Sequence, residues 1–491
     1  MIDLTIHHEN LAHNIRKARE NRVVIPTYRQ MKHPETIPGV IRDRLKAVGL
    51  WDVDPLNLFR ITWKNEAKET GGLYQDVPNY IELPPSLTGV PARIVCLVGK
   101  WFPTGCHKVG ASYGCLVPRL VTGQFDATTD HAVWPSTGNY CRGGAFNSKL
   151  LAVDSVAILP EGMSRERFDW LRSIAGQVIA TPGCESNVKE IFDKANELKR
   201  QPHMMVFNQF EEMGNHLWHY QVTGDAIATV FEHVKRPGDR MAGACFTSGS
   251  AGTIGCGDYL KEVYPGLKLA VGEALQCPTI LENGFGGHRI EGIGDKHIPW
   301  IHNVKNTDMV IDIDDEDSQR LLRLFNTPEG QAYLKNELHL DDELIEKLTW
   351  LGISGIANVL CCIKMAKYYE FTERDVVGTV LTDSAVMYGS RIQELNDQYG
   401  AYNAHEAAMD HALHMLGLKL DNMQELTYAD RKRVHNLKYY TWVEQQGKTV
   451  EELNALWYDT EGTWDTVHAQ AKDLDELINA FNEATGLLND L

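Results

Sequence analysis

Lys108 stands in the run Cys106-His107-Lys108-Val109-Gly110-Ala111-Ser112, a lone lysine among small residues. Phe102-Pro103-Thr104-Gly105, just before it, reads as a turn, with Pro fixing φ and Gly accepting φ > 0. A lysine on a solvated face normally has several polar neighbours, whereas this one has only His107. Desolvation lowers a lysine's pKa and leaves a neutral amine able to attack a carbonyl, as in Schiff-base enzymes. Taken alone, the heptapeptide still defaults to a structural lysine, and other segments must supply the rest of a site.

Three such segments follow. Ser136-Thr137-Gly138-Asn139 lies between a strand and a helix, where its backbone N–H groups and hydroxyls suit a carboxylate, although a plain helix cap reads the same way. Thr247-Ser248-Gly249-Ser250-Ala251-Gly252-Thr253-Ile254-Gly255 also joins a strand to a helix. Its glycines and hydroxyls let the backbone close on a phosphate at the helix N-terminus. No Gly-Lys-Ser/Thr follows and the glycine spacing is not G-x-G-x-x-G, so a single phosphate monoester fits better than a nucleoside triphosphate or a dinucleotide. In Val380-Leu381-Thr382-Asp383-Ser384, strand alternation lets only one of Asp383 and Ser384 face a given ligand.

Other reactive residue types read as structural. His216 and His219 share a helix face, with Glu211 and Glu212 nearby, but no third metal ligand is evident. Cys361-Cys362 belongs to an apolar helix and reads as core, and the cysteines as a whole show no C-x-x-C pair and read as buried thiols. The acidic run from Asp312 to Asp317 reads as a solvated loop and helix start.

The elements that carry these segments follow an α/β pattern. Strand-like runs at 80–83, 92–98, 132–134, 155–159, 177–180, 203–207, 241–246 and 267–271 alternate with helices over 140–152, from Ser164, from about Glu185 with Ser186 or Glu185 as cap, and over 211–234. That alternation predicts mostly parallel sheets covered by helices, with functional groups at the C-terminal ends of strands. Residues 1 to about 77 contain Pro26, Pro34 and Pro38 and read as an extension wrapped on the body. Past residue 400 the pattern predicts helices alone, over 405–416, 428–442, 450–458 and 474–485, as an appendage or dimer contact.

At 491 residues, two or three domains are expected. The net charge of −18 argues against nucleic acid and anionic membrane surfaces as partners. No basic-then-apolar leader or long apolar span occurs, so a cytoplasmic protein is expected.

In order along the chain, the segments resemble the cysteine synthase and cystathionine β-synthase group, fold-type-II enzymes dependent on pyridoxal phosphate, over roughly residues 80 to 392. Gln209-Phe210, His216, Thr223-Gly224, Ile290-Glu291-Gly292-Ile293-Gly294, Ile298-Pro299 and Gly352-Ile353-Ser354-Gly355 extend the likeness. The resemblance implies a two-domain fold: a large cofactor-binding α/β domain of 79–114 and 223–400, a small α/β domain of 115–222, an N-terminal extension of 1–78 and a helical C-terminal extension of 401–491. It implies that Lys108 carries pyridoxal 5′-phosphate, that Gly249, Ser250, Ala251, Gly252 and Thr253 hold its phosphate, and that Asn139 meets the ring oxygen. Ser384 would meet the pyridine nitrogen, and Ser136, Thr137, Gly138, Gln209 and Gly294 the substrate. Val109-Gly110 replaces the Asp-Arg usual after the lysine, and Ala251 stands where Gly is usual.

The implied activity is β-replacement or β-elimination on a small amino acid through an aminoacrylate intermediate. Lys108 would be the base for the α-proton, a thiol or sulfide the co-substrate, and a homodimer the assembly. A deaminating ammonia-lyase or desulfhydrase would use the same residues and differ in what reaches that intermediate. A phosphate-ligand-binding protein without covalent chemistry would lack a visible cofactor band that borohydride traps on Lys108. A cofactor-bearing scaffold would show no spectral response to any amino acid.

Overall fold

The computed structural model describes residues 1–136, 138–163, 165–183, 188–294 and 296–490. Its strands are β1 (Tyr80–Leu83), β2 (Arg93–Val98), β3 (His131–Pro135), β4 (Asp154–Pro160), β5 (Gln177–Thr181), β6 (Met204–Val206), β7 (Arg240–Thr247), β8 (Lys268–Ala274), β9 (Met309–Ile313), β10 (Asp375–Leu381) and β11 (Met423–Glu425). One sheet has the order β1-β2-β10-β7-β8-β9-β11 and the other β5-β4-β3-β6. Every neighbour pair is parallel except β1 with β2 and β11 with β9, the two edges of the larger sheet. Strands such as β2 (Arg-Ile-Val-Cys-Leu-Val) and β10 are buried along their whole length, as helices on both faces require. All cysteines among the described residues are buried, and no single described helix is long and apolar enough to cross a membrane.

Several expectations need correction. The strand series predicted to end near Val271 continues into β9, and β11 pairs with it, so the C-terminal region is not helical throughout. Residues 423–425 carry no apolar alternation, and their pairing comes from the exposed edge of β9. The predicted helix 474–485 starts eight residues earlier and runs Thr466–Thr485. Its apolar stripe, Leu474, Ile478 and Phe481, is buried, while the first two turns are polar enough to hide the helical period. The predicted helix 211–234 is broken into Met213–Trp218 and Gly224–Val234 by a π-turn at His219–Thr223. Ser164, Glu185 and Ser186 lie outside the described residues; helices follow at Arg165–Ile174 and Val188–Lys199.

The two terminal regions brace each other through side chains that bond main chain. Gln470 exchanges hydrogen bonds with the backbone of Ile2 (2.9 and 2.7 Å) and Asn482 with that of Ile25 (2.9 and 2.7 Å). The Asp475 carboxylate accepts from the N–H groups of Tyr28 and Arg29. Further along, buried Lys438 donates to the carbonyls of Trp300 (2.9 Å) and His302 (2.7 Å), clamping the extension to a core loop.

The acidic run is not a solvated loop. Asp312 is buried in β9, opposite Glu273 of β8, while Asp314 caps the helix Asp315–Asn326. Burial, and for Asp312 the neighbouring Glu273 as well, pushes both carboxyls above the ordinary range. The folded state therefore keeps protons that the unfolded chain releases above about pH 4. Stability from this pair is present below that value and is lost as pH rises through the folded pKa values. Asp312→Asn should thus gain stability relative to the parent as pH rises from 5 to 9, by up to about 1.4 kcal/mol per pH unit. Urea unfolding at stepped pH measures it, and a difference that stays flat with pH would refute a raised Asp312 pKa.

Candidate active site

Lys108 is the first residue of the helix Lys108–Thr122, just beyond the Pro103–Gly105 turn, where Thr104 (φ 70°) as well as Gly105 (φ 66°) is left-handed. Its Nζ lies 3.0 Å from Ser250 Oγ and 3.5 Å from Gln209 Oε1. The small residues after it serve a purpose that local sequence does not reveal. Gly110 lies against the Trp218 ring and Gly114 against the Gly214 carbonyl, so a Cβ at either would collide with the helix Met213–Trp218. That close helix packing accounts for Gly110. His107 is fully buried between Trp63 and His219, with ring centroids 5.5 and 5.0 Å away, and burial drives its pKa far down.

Beyond β7, the loop through Ser248, Gly249, Ser250, Ala251, Gly252 and Thr253 curls ahead of the helix Gly255–Val263. Asn215 supports it from behind, donating from Nδ2 to Ser250 Oγ (3.0 Å) and to the Gln209 carbonyl (2.9 Å). Gly252 packs on the Asn215 amide too closely for any side chain. Gly294 N–H donates to the Ser248 carbonyl (2.8 Å) and closes the far side. Ala251 has φ 64°, a left-handed conformation that a Cβ disfavours. Ala251→Gly should therefore raise unfolding stability by about 0.5–1 kcal/mol, as read by denaturant midpoint; a loss of stability would show that the Ala251 methyl packs usefully.

On the opposite wall, Ser136 Oγ accepts from Gly138 N–H (3.1 Å), and Asn139 opens the helix Asn139–Leu150. Thr137 lies outside the described residues. Asn139 Nδ2 donates to Asp383 Oδ2 (2.7 Å), leaving its second amide hydrogen and a buried, unpartnered Oδ1. Asp383 also accepts from Tyr388 O–H (2.7 Å) and lies 3.8 Å from Arg167 Nη2. Arg167 Nη1 pairs with Glu291 (3.1 Å), which Arg391 also binds (2.6 Å). Burial raises the Asp383 pKa, against the opposing pull of Arg167. Asp383 thus turns into an ionic network, and Ser384, the next residue, is 4% exposed at the start of the turn Ala385–Tyr388. Sequence reasoning missed Arg167, Asn215 and Tyr388. Arg167 lies in the polar first turn of the helix Arg165–Ile174, and nothing in its local sequence marks it as buried. Asn215 had a signal in its position between Gln209 and His216.

Lys108 thus meets the 209–216 and 248–254 segments, Gly294 closes on Ser248, and Ser136, Gly138 and Asn139 gather with Arg167, Glu291, Asp383 and Tyr388. Residues 103–333 match the family described as pyridoxal-phosphate dependent enzyme. A cysteine synthase from Staphylococcus aureus (strain Mu50) is 30% identical over 260 residues, 53% of this chain and 76% of that protein. A probable cysteine synthase from Bacillus subtilis is 29% identical over 230 residues, 46% of this chain and 72% of the relative. Cystathionine β-synthase from Saccharomyces cerevisiae is 23% identical over 313 residues, 62% and 58% of the two chains. By structure, the O-acetylserine dependent cystathionine β-synthase from Helicobacter pylori aligns with TM-score 0.53 at 23% identity, covering 64% of this chain and 95% of that one. Cysteine synthase from Entamoeba histolytica aligns with TM-score 0.56 at 18% identity, covering 70% and 94%.

The residues present suit the cofactor these relatives imply. The Lys108 amine faces the Ser250 hydroxyl in a loop rich in glycine and hydroxyls, and the Asn139 amide oxygen is buried without a partner. The chain belongs to the fold-type-II pyridoxal-phosphate-dependent enzymes, in the group of the cysteine synthases and cystathionine β-synthases.

Proposed function

We propose that this enzyme catalyses β-replacement or β-elimination on a small amino acid, in the manner of a cysteine synthase, with a thiol or sulfide as the replacing nucleophile. The observation that carries the reading is the placement of Lys108 Nζ 3.0 Å from Ser250 Oγ and 3.5 Å from Gln209 Oε1, where the glycine-rich loop, the Gln209 segment and the Lys108 helix converge. When bound, pyridoxal phosphate supplies the electron sink for carbanion chemistry at the amino acid. Lys108 would hold it, with Gly249, Ser250, Ala251, Gly252 and Thr253 presenting N–H and O–H donors to the phosphate. Asn139 would face the ring, and Ser384, a neutral hydroxyl, would accompany the pyridine nitrogen without fixing a proton there. Once displaced by the substrate amine, the Lys108 amine is placed to take the α-proton. Ser136, Thr137, Gly138, Gln209 and Gly294 would orient the substrate carboxylate; the Gly138 N–H holds Ser136 Oγ, which leaves the Ser136 hydroxyl hydrogen to donate.

The test is product analysis on the holoenzyme with O-acetyl-L-serine, L-serine and L-cysteine, each with and without sulfide. A sulfur-containing amino acid formed only with sulfide supports replacement, whereas ammonia and pyruvate formed without it support elimination. No product from any of the three would refute the reading.

A further inference from the structure

His216 was paired by spacing with His219, yet the fold separates them. His219 Nδ1 bonds Thr223 Oγ1 (2.9 Å). His216 instead turns toward two residues distant in sequence: Asp258, on the helix Gly255–Val263, and His468, near the start of the helix Thr466–Thr485. His216 Nε2 and His468 Nε2 are 2.9 Å apart, and Asp258 Oδ2 is 3.8 and 4.0 Å from them. In the plane of three atoms with these separations, the equidistant point is about 2.1 Å from each, within the range of zinc–nitrogen and zinc–oxygen bonds.

The surroundings are built like the outer shell of a metal centre. Asn303 and Asn306 donate to the two Asp258 oxygens (2.8 and 2.6 Å) and fix the carboxylate. His468 Nδ1 lies 3.9 Å from the Glu262 carboxylate, and the Tyr220 ring stacks on the imidazole at 3.6 Å. All three candidate ligands are buried. A cavity of about 400 Å³, bordered by Asp258, His468, Asn303 and Trp464, leaves room for a fourth ligand such as water. The two rings are within 9° of parallel, with centroids 5.2 Å apart, so their Nε2 atoms meet nearly head-on over one shared hydrogen. An ion would displace that hydrogen as both rings tilt toward Asp258.

We propose that His216, Asp258 and His468 form a three-ligand site for a divalent transition-metal ion of the zinc class, joining the C-terminal helix to the core. Two imidazoles and one carboxylate favour such ions over magnesium or calcium, which prefer all-oxygen shells. The site lies behind the Lys108 centre: Asn215, which supports Ser250, is the neighbour of His216. The proposal does not depend on which amino acid the enzyme uses.

The test is zinc binding to the holoenzyme after chelator treatment and gel filtration, with magnesium as control. One zinc per chain, by elemental analysis, and a higher thermal midpoint with Zn²⁺ but not Mg²⁺ are expected. His468→Gln keeps a hydrogen-bonding side chain of similar reach and should lose both effects, as should Asp258→Asn. Co²⁺ loaded into the same site should show tetrahedral d–d bands that His468→Gln removes. Zinc retained equally by the parent and both variants, or not retained by the parent, would overturn the proposal and leave His216 and His468 as a hydrogen-bonded pair.

Discussion

Lys108→Ala is expected to lower turnover by at least about 10³-fold while leaving the fold near intact. In the proposed reaction the variant loses the amine that would hold the cofactor covalently, and the base for the α-proton with it. Borohydride treatment of the parent should fix the cofactor mass on the peptide containing Lys108, and the variant should show no such adduct. The structural cost is small. Lys108 occupies the first turn of its helix, partly buried, and alanine is a good helix former. The Nζ contacts to Ser250 and Gln209 disappear, worth about 1–2 kcal/mol together. Circular dichroism and a denaturation curve separate this outcome from misfolding. Lys108→Arg should be equally inactive, because a guanidinium stays protonated and cannot act as the nucleophile. Activity above about one part in a hundred in either variant would contradict the assigned role.

Arg167→Ala is expected to destabilise the protein by about 3–5 kcal/mol, the range for removing one partner of a buried ion pair. Arg167 and Asp383 are fully buried, and Glu291 is nearly so. Without the guanidinium, Glu291 keeps Arg391, but Asp383 keeps only the hydrogen bonds from Asn139 and Tyr388. Burial already holds the Asp383 pKa above its ordinary value, and losing Arg167 would raise it further. A raised folded-state pKa gives stability that is lost as pH rises through it, so the deficit of the variant should be larger at pH 8 than at pH 5. Arg167→Met, which fills much of the same volume without charge, should show a similar loss and a similar pH trend. A deficit below about 1 kcal/mol, or one that shrinks as pH rises, would mean that the network is not holding these charges. Because Arg167 borders Gly138 and, through Asp383, restrains Asn139, the variant should also hold pyridoxal phosphate less tightly, measurable by equilibrium dialysis.

Much of this protein was readable from its residues in order. Apolar β-branched runs separated by helical stretches identified the α/β class, because strand and helix periods are local properties. The hydroxyl- and glycine-rich segments at 136–139 and 248–254 marked themselves as loops between a strand and a helix for the same reason. Their joint likeness to one enzyme group came from several motifs in a fixed order, which a single motif cannot provide. Tertiary structure alone decided what each polar side chain meets. Gly110 is small because Trp218, over a hundred residues away, needs the space, and Asp312 is buried because β8 brings Glu273 beside it. Asp383 faces Arg167 and Asn139, and His216 faces His468 across 252 positions of chain. Such pairings depend on how sheets and helices stack, and periodicity within ten or twenty residues carries no record of it.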